Sequence, residues 1–158
     1  MHIPELVFTD YHDNHVVVMC DVVKRLYQYR QLHPASTEAG GILIGERRGR
    51  HIVITDISEP GLGDILSRNQ FTRKGEHHRH KANESFRTSG GYQDYVGEWH
   101  THPEDHPHPS CLDMKSWRTG LSASQPMVML IIGRLSVWAG QKEGEGNDIS
   151  KLKVKPAM

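Results

Sequence analysis

The sequence predicts an α/β protein, a mixed sheet flanked by helices. Short apolar segments with strand character recur along the chain, and three segments with helical signals are set between them. A length of 158 residues, 36% hydrophobic and 24% charged, suits one globular domain covering residues 1–158 that buries a core without disulfide staples.

The elements follow in order. Leu6-Val7-Phe8 and Val16 to Met19 read as strands around a polar turn, Asp10 to Asn14. Asp21 is placed to cap a helix carrying Val22, Leu26 and Tyr29 at helical spacing, and His33-Pro34 marks its stop. Gly40 to Gly45 and Ile52 to Ile57 read as paired strands turned at Arg48-Gly49-Arg50, followed by the loop Pro60 to Gly63 and a short strand at Gln70 to Thr72. Glu76 to Arg87 is a polar helix. Tyr95 to His102 is a strand entering a proline-rich loop, and Ser110 opens a third helix that runs to about Ser122. Met127 to Ile132 and Leu135 to Trp138 form a hairpin. Gln141 to Asn147 is a Gly- and Glu-rich loop, and Lys151 to Lys155 adds an edge strand.

Composition narrows the function classes. Nineteen Lys and Arg balance nineteen Asp and Glu, which argues against a nucleic-acid or membrane footprint. The longest apolar run, Met127 to Ile132, is too short to span a bilayer, and the N-terminus has no signal-peptide pattern. Cys20 and Cys111 are the only cysteines, so a reducing cytoplasm is the expected compartment. Twelve histidines, seven of them between His77 and His108, hint at a metal.

The chemistry concentrates in Glu98-Trp99-His100-Thr101-His102-Pro103 and Pro109-Ser110-Cys111-Leu112-Asp113. Residues two apart on a strand face one side, so His100 and His102 can aim both imidazoles at one point. Seven residues separate His102 from Ser110, enough chain to turn back and bring Asp113, in the first turn of a helix, over the strand as a third ligand. Two His and one carboxylate leave a fourth position for water, the pattern of a catalytic zinc site. The water then needs a base. Glu38, just before Ala39-Gly40-Gly41-Ile42-Leu43-Ile44-Gly45, is one candidate; Glu98, on the same strand face as His100, is the other. Ser-x-x-Asp at Ser110 to Asp113 is also nearly a capping box, and the cap would fix the ligand's geometry.

This set resembles the JAMM motif of JAB/MPN-domain metallopeptidases, whose domain has a cytidine-deaminase-like α/β fold. His-Thr-His-Pro, Ser110 and Asp113 match its spacing, and Glu38 with Gly-Gly-Ile-Leu-Ile-Gly matches its upstream Glu-x-x-Gly-x-Leu-x-Gly pattern, over roughly Phe8 to Gly140. The resemblance implies one zinc ion per chain on His100, His102 and Asp113, Glu38 as general base, and Ser110 stabilising the oxyanion; Glu98 matches no catalytic position. It further implies cleavage of isopeptide or peptide bonds after the C-terminal residue of ubiquitin-like proteins. The chain looks most like the small JAB peptidases of bacterial antiviral (CBASS) operons, which remove a cyclic-oligonucleotide synthase from its conjugated targets. Processing of a sulfur-carrier protein's C-terminal extension and a non-catalytic scaffold are the alternatives. The short stretch after Asp113 leaves little room for the second insertion of eukaryotic members, and the His-rich segment at Glu76 to Lys81 has no counterpart.

Other residues take plainer readings. His106 and His108 are expected as solvated loop residues, and His77, His78 and His80 as a polar helix face. Arg73, Lys74, Arg79 and Lys81 form a solvated basic face. Trp99 and Trp117 belong to the core, and Cys111 is a buried thiol.

Overall fold

The computed structural model describes residues 3–121, 124–143 and 148–156. Its elements are β1 (Leu6–Thr9), β2 (His15–Val18), α1 (Cys20–Tyr27), β3 (Gly40–Arg48), β4 (His51–Ile57), β5 (Ile65–Leu66), β6 (Phe71–Thr72), α2 (Glu76–Thr88), β7 (Asp94–Thr101), α3 (Cys111–Gly120), β8 (Met127–Ile132), β9 (Val137–Lys142), β10 (Ile149–Lys151) and β11 (Lys153–Val154). Nine strands form one sheet in the order β10-β9-β8-β7-β3-β4-β2-β1-β11, while β5 and β6 make a separate hairpin. The sheet is mixed: β2 with β4 and β7 with β8 run parallel, and the other pairs are antiparallel. This is the α/β architecture expected.

The expected edge strand at Lys151 to Lys155 is two strands. β10 and β11 occupy opposite ends of the sheet with only Leu152 between them. Strands at the two ends of the sheet separated by one residue require the sheet to curl so that its ends approach each other. Leu152 is buried at the seam, and its N–H donates to the Ala139 carbonyl at 2.9 Å.

β8 explains the continuous apolar run at its position. Val128, Leu130 and Ile132 enter the main core with Phe8, Val18 and Leu26, while Met127, Met129 and Ile131 face a second cluster with Trp117 and Trp138. Both faces are covered, so every residue is apolar.

Three boundaries differ from expectation. Asp21 does not cap α1: Met19, extended because its N–H pairs with the Ile54 carbonyl, precedes the helix, and Asp21 lies in the first turn, where its carboxylate suits the helix dipole. The same helix ends at Tyr27, well before His33-Pro34, as Tyr29 and Arg30 tighten to bonds with Leu26 and Tyr27. Gln141 and Lys142 belong to β9 instead of a loop. The Lys142 ammonium is buried because it caps α3, donating to the carbonyls of Trp117, Arg118 and Leu121 at 2.9, 3.0 and 2.7 Å. The expected helix end at Ser122 and the loop residues 144–147 lie outside the described residues. Among the described residues, no helix is long and apolar enough to cross a membrane.

Candidate active site

β7 alternates as its sequence requires. Trp99 and Thr101 are buried on the core side, with 1% and 0% of their surface exposed, and Glu98, His100 and His102 share the opposite face. The next ligand candidate arrives on α3. Ser110 is the N-cap: its hydroxyl accepts the Asp113 N–H at 3.0 Å, and Asp113 Oδ2 accepts the Ser110 N–H at 2.9 Å. This complete capping box fixes the Asp113 carboxylate over the strand.

The three side chains converge. His100 Nε2 and His102 Nε2 lie 3.1 Å apart, and Asp113 presents Oδ1 at 3.2 Å from His100 and Oδ2 at 3.1 Å from His102. Donor atoms about 2.0–2.1 Å from a tetrahedral zinc stand about 3.3 Å apart, close to the spacing of the two imidazoles from each other and of each from its nearer carboxylate oxygen. The donor set agrees: two imidazoles and one carboxylate, with His102 Nδ1 donating to Glu104 Oε1 at 2.8 Å and thereby turning Nε2 toward the centre. Burial works against a charged His102, but Asp113 and Glu104 outweigh it and push its pKa up to about 9. Burial likewise opposes ionisation of Asp113, yet the two imidazoles hold its carboxyl well below the usual range.

Glu38 lies two residues before β3 and is 6% exposed. Its backbone is pinned by its own N–H to the Ser67 carbonyl at 2.7 Å and, one residue on, by Ala39, which exchanges bonds with Thr101 through N–H to Oγ1 and carbonyl to N–H, both 2.9 Å. Burial raises the Glu38 carboxyl to about 6, while His100 and His102 pull it down. Glu98 instead pairs with Arg73 at 3.4 Å. Glu38, Glu98, Ser110 and the three converging residues all line one open cleft of about 610 Å³. Phe71 of the β5–β6 hairpin forms another wall, and a Cβ on Gly40 would sit 2.6 Å from its ring, so glycine lets the hairpin approach β3.

Several residues depart from their sequence reading. His78 is no solvated face: it is 3% exposed, its Nδ1 takes the Ser58 hydroxyl at 2.5 Å, and its Nε2 donates to Asp64 Oδ2 at 2.8 Å. Burial lowers its pKa, which keeps the ring neutral for both bonds. Asp64, His77 and His78 stand close enough to share an ion. However, Asp64 already accepts the N–H groups of Gly61, Lys74 and Gly75 besides His78, and His77 Nε2 meets the Glu59 carbonyl at 2.6 Å. Cys111 is exposed, because as the first residue of α3 it precedes the turn that packs on the sheet. His106 and His108 are exposed loop residues and Trp99 and Trp117 are buried, as expected. Glu104 and Gln31 escaped the sequence reading; for Glu104 the available signal was a carboxylate two residues past a ligand candidate.

A curled mixed sheet carries His-x-His at the end of a central strand, a carboxylate on the following helix and a buried glutamate just before the neighbouring strand, a group of side chains that could hold a metal ion. The chain belongs to the family of prokaryotic homologs of the JAB domain, which it matches over residues 21–146. It is 58% identical, over 98% of both chains, to a CD-NTase/cGAS isopeptidase of Escherichia coli (strain TW11681). It is also 53% identical, over 89% of this chain and 90% of the relative, to a CD-NTase/cGAS isopeptidase of Vibrio cholerae serotype O1. The solution structure of a Desulfitobacterium hafniense protein superposes with a TM-score of 0.61 at 20% identity, covering 85% and 87% of the two chains, a likeness of fold.

Proposed function

We propose that this protein is a zinc-dependent isopeptidase that hydrolyses the bond after the C-terminal residue of a conjugated CD-NTase, with His100, His102 and Asp113 as ligands, Glu38 as general base and Ser110 as oxyanion donor. The carrying observation is the convergence of His100 Nε2, His102 Nε2 and the two Asp113 carboxylate oxygens, at contacts of 3.1, 3.2 and 3.1 Å, with a buried glutamate lining the same cleft. The isopeptidase names of relatives matched over nearly the whole chain support the substrate class and, with it, a role in bacterial antiviral defence.

Zinc, when bound, polarises the scissile carbonyl and acidifies the water it holds. Glu38, with its pKa raised to about 6, accepts the proton of the attacking water and returns it to the leaving amine. The Ser110 oxygen already accepts the Asp113 N–H, so its own proton is left to donate to the carbonyl oxygen as charge develops. Glu104 holds the His102 tautomer.

The test is a fusion of a CD-NTase to a reporter protein placed directly after the CD-NTase C-terminus. Cleavage at that junction, read by mass spectrometry and lost on chelation and restored by zinc, is the expected result. An uncut fusion in the presence of zinc-loaded protein would overturn the substrate assignment.

A further inference from the structure

Gln31 takes no part in the metal triangle, yet its contacts converge on the base. It lies in the loop after α1 and is 1% exposed. Its Oε1 accepts the Thr101 hydroxyl at 2.8 Å, and its Nε2 donates to the carbonyls of Ser36 at 3.2 Å and Arg68 at 3.1 Å. The network fixes the amide's orientation. Two carbonyls need donors, and the Thr101 oxygen, already accepting from Ala39, has its proton left to give.

Each partner abuts a backbone anchor of Glu38. Thr101, between the two imidazoles in sequence, holds Ala39 on one side. Arg68 adjoins Ser67, whose carbonyl takes the Glu38 N–H at 2.7 Å. Ser36 lies in the strand approach, two residues before Glu38. A buried primary amide is costly unless satisfied, and a satisfied network selects a single arrangement of the segments it joins. Here those segments are the approach to β3, the His strand and the hairpin loop.

We infer that Gln31 is a positioning residue, holding the Glu38 carboxyl against His100 and His102 by fixing the backbone on both sides of it. This rests on Glu38 acting as the general base. Loss of the network frees the backbone that carries the base, while the capping box of Asp113 and the Glu104 contact of His102 stay in place.

The test compares wild type, Gln31→Met, Glu38→Ala and the double variant, all zinc-loaded, on the CD-NTase–reporter fusion. Gln31→Met keeps the side-chain length and removes all three bonds. It should retain one zinc per chain and a KM within about twofold, while kcat falls about tenfold to hundredfold, as expected when a catalytic group is misplaced. In the Glu38→Ala background the same change should alter residual turnover less than about twofold. Independently of substrate, amide exchange at Glu38 and Ala39 should quicken in Gln31→Met while that at Met129 stays unchanged. If Gln31→Met does not fold, Gln31→Asn, one methylene too short to reach all three partners, should show the same pattern. Wild-type kcat with unchanged exchange, or an equal loss in both Glu38 backgrounds, would overturn the inference. A fusion left uncut by wild type refutes the substrate reading instead, and the exchange measurement then decides the role of Gln31.

Discussion

Replacing Asp64 by Asn should weaken the fold in a manner set by pH. The Asp64 side chain is fully buried and accepts the N–H groups of Gly61, Lys74 and Gly75 at 3.0, 2.9 and 2.7 Å and the His78 Nε2 at 2.8 Å. These bonds tie together the two ends of the segment that carries the β5–β6 hairpin, one wall of the cleft. Burial opposes ionisation, but the N–H groups of Gly75 and Gly61, the His78 imidazole and the Lys74 N–H outweigh it and hold the pKa down at about 2. Against an unfolded aspartate near ~4, this difference contributes about 2–3 kcal/mol at neutral pH. The folded pKa lies below the unfolded one, so the contribution is complete above ~4 and is lost as pH falls toward ~2. Asp64→Asn should therefore cost about 2–3 kcal/mol in urea unfolding at pH 7 and about half that at pH 3. An equal deficit at both pH values, or none at pH 7, would refute the reasoning.

Other perturbations probe different links. Lys142→Met leaves the carbonyls of Trp117 and Arg118 in α3 and of its C-cap Leu121 without their ammonium, which should destabilise the protein by about 2–4 kcal/mol in denaturant titration. Because α3 carries Asp113, the same variant should bind zinc more weakly. Glu104→Gln removes the carboxylate partner of His102 Nδ1 and should reduce zinc affinity about tenfold to hundredfold in competition with a chelator. In the metal-free protein the His102 pKa near 9 keeps the ring protonated at neutral pH, whereas a ligand imidazole must be neutral. Zinc binding at pH 7 should therefore release a proton, and affinity should rise with pH toward 9, measurable by calorimetry in buffers of different ionisation enthalpy.

Where local pattern decides structure, the sequence was legible. Period-two alternation placed His100 and His102 on one face with Trp99 and Thr101 behind them, and the Ser-x-x-Asp spacing announced the cap that aims Asp113. The sheet's curl was not legible, because the split of residues 149–154 into strands at opposite edges depends on where β9 and β1 lie in space. His78 looked like one more polar residue on a polar helix; only its meeting with Ser58 and Asp64, 20 and 14 residues away, buries it. Gln31 and Lys142 were silent for the same reason. Each is a polar residue whose partners are carbonyls or hydroxyls supplied by folding, a type of contact that leaves no trace in spacing.

The most direct test of the central claim is junction cleavage by Glu38→Ala loaded with zinc, measured beside wild type under the same conditions. Glu38 lies outside the ligand triangle, so the variant should bind one zinc per chain with unchanged affinity while its turnover falls about a hundredfold or more. Stoichiometric zinc together with wild-type turnover would contradict the assignment of the base and, with it, the mechanism built on this site.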